Sequence, residues 1–253
     1  MLRQHFLKKG LRAEPHFRWR GGDPSRVEGL SDAVFAFAIT LLVVSLEVPT
    51  SFDAMMQTMR GFFAFAICFT LLFMIWHAHY IFFRRYGLED TYTSILNAVL
   101  LFVVLFYIYP LKFLFTFLLG RMFGINAGID HGTMIAGADV PELMLVYSLG
   151  FLAIFAIFSL LYLHAYRLRE QLELNEIEQV ATRASVQMHL IYVAVSILSA
   201  ALALTGNIYL AALAGWSYAL LCPAQAINGI MMGRKIERLQ KQAENTNAID
   251  TTA

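Results

Sequence analysis

Charge is scarce in this chain. Asp, Glu, Lys and Arg make up 15% of its 253 residues, against 58% apolar residues and a mean hydropathy of +0.60. A water-soluble domain carries about a quarter charged residues, so an ordinary soluble globule is excluded. The two cysteines, Cys68 and Cys222, both fall in apolar runs and in no metal-binding spacing, which reads as small core residues. No His-x-x-x-His or His-Glu-x-x-His pattern occurs in any apolar run. The basic stretch Met1 to Arg12 has no apolar segment long enough for a cleaved signal peptide. A short helix on anionic lipid is the expectation there. No internal repeat is evident.

The apolar residues are instead gathered into long runs. Six candidate membrane spans fall at about 29–48, 60–83, 92–119, 143–166, 186–205 and 208–232. They leave no room for a soluble catalytic domain, so the expected fold is an all-α, six-span membrane protein. Its parts are a basic cytoplasmic arm at 1–22, a transmembrane domain at 23–236 and a polar cytoplasmic tail at 237–253, expected to lack structure. Arg and Lys concentrate in the arm, at Arg84 and Arg85, at Arg167, Arg169 and Arg183, and from Arg234 to Lys241. By the positive-inside rule both termini are cytoplasmic, in a multi-pass protein of the inner (plasma) membrane. The lipid bilayer is then one partner, and no nucleic acid is expected. The 167–183 link, with four glutamates among its arginines, is expected to prolong span four as a helix. The Gly-rich 120–142 segment is the long external loop. Pro110 and Pro223 are expected to kink spans three and six.

Span one carries the most information. Asp23-Pro24 supplies a helix start and Pro49 a stop. The 20 residues from 29 to 48 make roughly 30 Å of helix, enough to cross a hydrocarbon core. Within it lie Asp32, an ionisable group that hydrocarbon penalises, and Thr40. At 100° per residue, Leu30, Ala33, Val34, Phe37, Leu41, Val44 and Val48 share a stripe with Thr40 at its edge, and Asp32 projects roughly 140° from Phe37. Asp32 needs a partner wherever it lies. Membrane depth permits Arg26 or His77, with the Asn97 amide at the same level.

These residues resemble the first-helix signature of the transmembrane protein 175 family, the endolysosomal potassium channels and their bacterial relatives. The signature runs Arg, Phe-Ser-Asp, Phe-Ala, then an apolar-Thr-Leu-Leu run. Here it reads Arg26, Leu30-Ser31-Asp32, Phe35-Ala36 and Ile39-Thr40-Leu41-Leu42. Trp76-His77-Ala78-His79 with Phe83-Arg84-Arg85, then Asn97, Leu101 and Pro110, are similar to the family's second and third helices. The likeness covers about 26–115. It implies a homotetramer around a pore lined by span one, passing potassium in preference to other monovalent cations without a Thr-Val-Gly-Tyr-Gly filter, which this chain also lacks. Carried over by position, Phe37, Leu41 and Val44 form the constriction and Thr40 the selectivity layer. Arg26, Ser31, Asp32, His77 and Asn97 form the interhelical network. Two positions depart from the pattern: Leu30 replaces Phe, and Phe37 replaces a usual Ile or Leu.

Two other readings compete. One is an intramembrane hydrolase using Ser31 and Asp32 with His77, His79, His164 or His189. Against it, His77 and His79 point about 200° apart on a helix. The other is a non-conducting scaffold on the same fold. The expectation is a channel, with potassium as cargo, no cofactor or metal site, no catalytic residues and no enzyme chemistry.

Overall fold

The computed structural model describes residues 17–44, 50–123 and 137–252. The described residues are helical with no strand: α1 (Arg26–Val44), α2 (Phe52–Arg60), α3 (Phe62–Tyr86), α4 (Thr91–Phe123), α5 (Val140–Arg167), α6 (Glu176–Ala203), α7 (Ile208–Ser217) and α8 (Leu221–Thr252). Five helical stretches are long and apolar enough to cross a membrane: Thr58–Tyr86, Thr91–Gly120, Val140–Arg167, Glu176–Ala203 and Ile208–Gln242. The 19 residues of α1 add about 28 Å of helix, close to the thickness of a hydrocarbon core. The chain is an all-helical, multi-pass membrane protein.

Helix α1 packs against α3 and α4, while α5 and α6 form the broadest helix contact and carry α7 and α8. The α4–α5 contact joins the two groups, and one core of Phe35, Phe82, Leu100, Ile154, Phe158 and Leu161 runs through both. In hydrocarbon, apolar surface gains little by leaving lipid, so close packing and interhelical hydrogen bonds decide the arrangement.

Several boundaries differ from the sequence expectations. Helix α1 starts at Ser25 rather than Asp23. Ser25 Oγ accepts from Glu28 N at 3.2 Å and Glu28 Oε1 accepts from Ser25 N at 3.1 Å, a reciprocal capping box. A nine-residue helix, α2, stands where a plain loop was expected. The 167–183 link does not extend α5. The helix ends at Arg167 and the chain turns, with Glu173 at φ +48°. Asn175 and Glu178 then close a second capping box that starts α6, because a strong N-cap pair competes with helix continuation. The sixth span is broken: α7 gives way to a 3₁₀ turn at Tyr218–Leu220, and Pro223 falls in the first turn of α8, where its missing N–H is tolerated. The polar tail continues α8 to Thr252, since Arg, Lys, Glu and Gln are good helix formers. Most of the Gly-rich loop, and the region of the expected lipid-surface helix at 1–12, lie outside the described residues.

The α3–α4 link is set by local chemistry. Gly87 ends α3 in the left-handed region at φ +58°, its N–H bonding Phe83 O at 2.8 Å. Asp90 starts α4, accepting from Thr93 N at 3.1 Å and Thr93 Oγ1 at 2.7 Å, with His164 Nε2 at 3.2 Å. Partial burial pushes the Asp90 carboxyl up, but the two Thr93 bonds and His164 outweigh it and hold the carboxyl below its usual value. A depressed carboxylate stabilises the fold above its ordinary range, and that contribution is lost as pH falls through the folded value. Asp90→Ala should therefore cost about 1 kcal/mol near neutrality and much less once the pH is well below about 4, past the depressed folded value. Paired thermal melts at the two pH values test this, and equal losses at both would refute it.

Candidate functional site

The face of α1 turned into the bundle is Glu28, Ser31, Phe35, Ala38 and Leu42, buried at the three–four spacing of a helix. Ser31 donates to Val27 O at 2.8 Å and accepts from Asn97 Nδ2 of α4 at 2.9 Å. Asn97 Oδ1 lies 2.8 Å from His79 Nε2 of α3, and an amide oxygen there requires the Nε2–H tautomer. Ser31, Asn97 and His79 are all fully buried. Each such bond in a membrane interior contributes about 0.6–2 kcal/mol, so this chain of two fixes the rotation of α1 against α3 and α4. The His79 ring is further held between Phe35 and Phe83, at 5.7 and 4.6 Å between centroids.

Asp32 points away from that chain. Its Oδ1 accepts from Trp76 Nε1 at 2.8 Å, and the Trp76 ring stacks on Tyr80 at 5.8 Å. This corrects both expected pairings. His77 is exposed and stacks beside Phe73 and Tyr80, while Arg26 is exposed and forms no ion pair among the described residues. One helical turn separates the indole that reaches α1 from the imidazole at position 79 that reaches Asn97, and His77 falls on the wrong side of both. A signal for His79 was available. It lies in the apolar spacing Cys68, Leu72, His79, Phe82 and Tyr86, all buried, whereas His77 breaks it.

At the foot of α1 stands a second feature that sequence reading missed. Arg84 of α3 is paired with Glu28 in a buried ion pair and also donates to the Gly22 carbonyl. Its own carbonyl accepts from Arg20 N and Gly21 N, both at 3.1 Å. Residues 17–22 are thus a docked strap. Phe17 is buried edge-on to Tyr86, and Arg20 forms a pair with Glu178 of α6 at 2.7 Å while donating to Leu172 O and Glu173 O. The Ser-x-x-Glu box at 25–28 was the visible clue to Glu28, but nothing local connects it to Arg84.

On the other side, α1 turns Phe37 and Thr40 outward. Phe37 is 55% exposed and Thr40 is exposed, while Leu41 is half-buried. The Val44 side chain lies outside the described residues. Thr40 Oγ1 donates its hydrogen to Ala36 O at 3.0 Å, which leaves the exposed hydroxyl oxygen able to accept. At the far end Lys112 Nζ donates to Leu42 O at 3.3 Å, placing a cation on the C-terminal carbonyls of α1. Lys112 of α4 thus braces the C-terminal end of α1. Among the described residues no group of three His, Cys, Asp or Glu side chains could hold a metal ion.

Residues 26–107 match the family model described as the endosomal/lysosomal potassium channel TMEM175. The chain is 41% identical over 232 residues to a potassium channel of Marivirga tractuosa, covering 89% of this chain and 94% of the relative. It is also similar to the crystal structure of a threonine-to-alanine variant of the potassium channel MtTMEM175, with a TM-score of 0.77 and 40% identity, over 87% of this chain and 98% of that one. A lysosomal potassium-selective TMEM175 homologue from Chamaesiphon minutus shares the fold, with a TM-score of 0.51 at 22% identity over 80% of this chain and 96% of that one.

Proposed function

The chain belongs to the TMEM175 family of potassium channels, and on that premise we propose that potassium ions cross the membrane along the outward face of α1, at the axis of a homotetramer. It is a potassium channel and not an enzyme, so the serine, aspartate and histidines of the hydrolase reading are structural. Phe37, Leu41 and Val44 form the constriction and Thr40 the hydroxyl layer. The ion is cargo, and no cofactor takes part. Ser31, Asn97 and His79 hold the helix from behind, with Asp32 fixed by Trp76. The protein is placed in the plasma membrane with both termini in the cytoplasm, and the orientation is supported by Arg18, Arg20, Arg84, Arg85 and Arg169, which the contacts of the strap bring to one end of the bundle.

One observation carries this reading. The side of α1 opposite the locked polar contacts exposes a large aromatic ring, Phe37, one turn from the exposed Thr40 hydroxyl. Four such rings around an axis would exclude water and close the path by dewetting. Thr40 then presents oxygens to a dehydrating cation just beyond the rings.

The test is potassium flux into proteoliposomes of purified protein, with sodium compared. Phe37→Ala should raise potassium flux about tenfold, equivalent to lowering the barrier by about 1.4 kcal/mol. Unchanged flux in a variant of intact oligomer size would remove Phe37 from the path. Absence of flux from both proteins would favour the scaffold reading.

A further inference from the structure

The strap at 17–22 runs directly into the Ser25 cap of α1, and its seat on the bundle is built in detail. Each of the five guanidinium N–H groups of Arg20 has an acceptor. Nε donates to Leu172 O at 2.6 Å, Nη1 to Arg18 O at 2.9 Å and Glu178 Oε1 at 3.1 Å, and Nη2 to Glu173 O at 3.0 Å and Glu178 Oε2 at 2.7 Å. Arg18 N adds a bond to Glu178 Oε1 at 2.7 Å, and Glu178 is buried. A guanidinium paired bidentately with a buried carboxylate fixes geometry as well as charge. The backbone is fitted too: a Cβ at Gly21 would lie 2.6 Å from Phe83 O, so glycine is what lets the strap close on the end of α3.

From this seat two chains of contacts lead to α1, both by way of α3. In the first, Gly22 O accepts from Arg84, whose guanidinium holds Glu28. In the second, Trp19 meets Tyr80 edge-on at 6.2 Å between centroids, Tyr80 stacks on Trp76 at 5.8 Å, and Trp76 Nε1 donates to Asp32 Oδ1 at 2.8 Å. Arg84 Cζ lies over the Tyr80 ring at 5.9 Å and so ties the two chains together. Glu28 and Asp32 are four residues apart, so the strap reaches successive turns of α1. Neither residue belongs to the Ser31–Asn97–His79 chain, so this grip adds to that one.

We propose that Trp19 and Arg20 are positioning residues for ion discrimination: the strap, anchored on α6 through Glu178, sets the rotation of α1 through Arg84–Glu28 and through Tyr80–Trp76–Asp32. The inference rests on the assignment of α1 to the pore. Rotation matters there because turning a helix by about 20° carries a side-chain oxygen on the order of 1 Å. A ring of Thr40 hydroxyls displaced by that much no longer fits one cation better than another. Residues on the cytoplasmic turn between α5 and α6 thereby act on a layer two turns beyond Asp32, without touching the ion.

Two readouts on the full chain test this: potassium and sodium flux in proteoliposomes, and the fluorine NMR spectrum of protein carrying fluorotryptophan. The chain has three tryptophans, and Trp76→Phe identifies the Trp76 line. Arg20→Ala removes the fork, whereas Gly21→Ala displaces the strap with every charge in place. Both should lower the potassium-to-sodium flux ratio several-fold and shift the Trp76 line. Arg183→Ala is the control, since this arginine of α6 engages Tyr166 rather than the strap, and it should leave both readouts unchanged. An equal effect of Arg183→Ala would reduce the result to lost cytoplasmic charge or general loosening and overturn the proposal. A Trp76 line unmoved by Arg20→Ala and Gly21→Ala would overturn it whatever the flux. A shifted line with an unchanged ratio, from a selective wild type, would also overturn it while leaving the pore assignment intact. Absence of flux from the wild type would instead remove the pore assignment, and with it the claim on ion discrimination.

Discussion

Arg84→Met should be the most destabilising single change in this chain, at about 3–5 kcal/mol. The cost comes from what remains. Arg84 and Glu28 are both buried, so removing the guanidinium leaves a carboxylate without its partner at the foot of α1. The carboxylate is then stranded without its countercharge beside the Ser25 cap. The same change removes the bond to the Gly22 carbonyl and releases the strap from α3. Thermal unfolding in detergent and size-exclusion profiles would report it. A double variant, Glu28→Met with Arg84→Met, should recover most of the loss, because a well-packed apolar pair is often as stable as a buried ion pair. If the double variant is no better than the single one, the strap contacts rather than the stranded charge carry the cost.

Gly150→Ala should come second, at about 3 kcal/mol. A methyl group at position 150 of α5 would lie 2.1 Å from the Tyr107 ring of α4. That ring has nowhere to go, since Tyr107 is buried and its hydroxyl donates to Tyr147 O at 2.9 Å. Tyr147 in turn donates to Pro110 O at 2.6 Å. The α4–α5 contact joins the α1–α3–α4 group to the rest of the bundle, so the variant should separate the two halves and lower the melting temperature. Tyr107→Leu in the same chain should restore part of the loss. A melting temperature unchanged by Gly150→Ala would show that α4 and α5 are not packed ring on glycine.

The polar contacts of α1 show how far residue types alone could be read. Ser31 and Asn97 were legible as network members because each is a polar group on an apolar helix, which lipid will not tolerate unpaired. Their shared partner was not. His77 and His79 are the same residue two positions apart, and only the packing of α3 decides that 79 faces inward. Trp76 stood as part of a Trp-His-Ala-His motif, and its indole N–H proves to be the donor to Asp32. The buried pair of Glu28 and Arg84 was hidden for another reason: its members lie 56 positions apart, and each looks like an ordinary charge at a helix end.

The sequence by itself determined that this chain is all-helical and crosses a membrane several times. It also determined that span one is the exceptional helix. Those properties follow from hydropathy summed over 18 or more residues and from local backbone chemistry, which need no distant partner. Tertiary structure decided which histidine serves the network and which arginine neutralises Glu28. It also decided that residues 17–22 form a strap and that 52–60 present an apolar face with no core to cover it. Each of these depends on the rotation of one helix against another. That rotation is set by close packing and by polar bonds between residues far apart in the chain, quantities that no window of sequence contains.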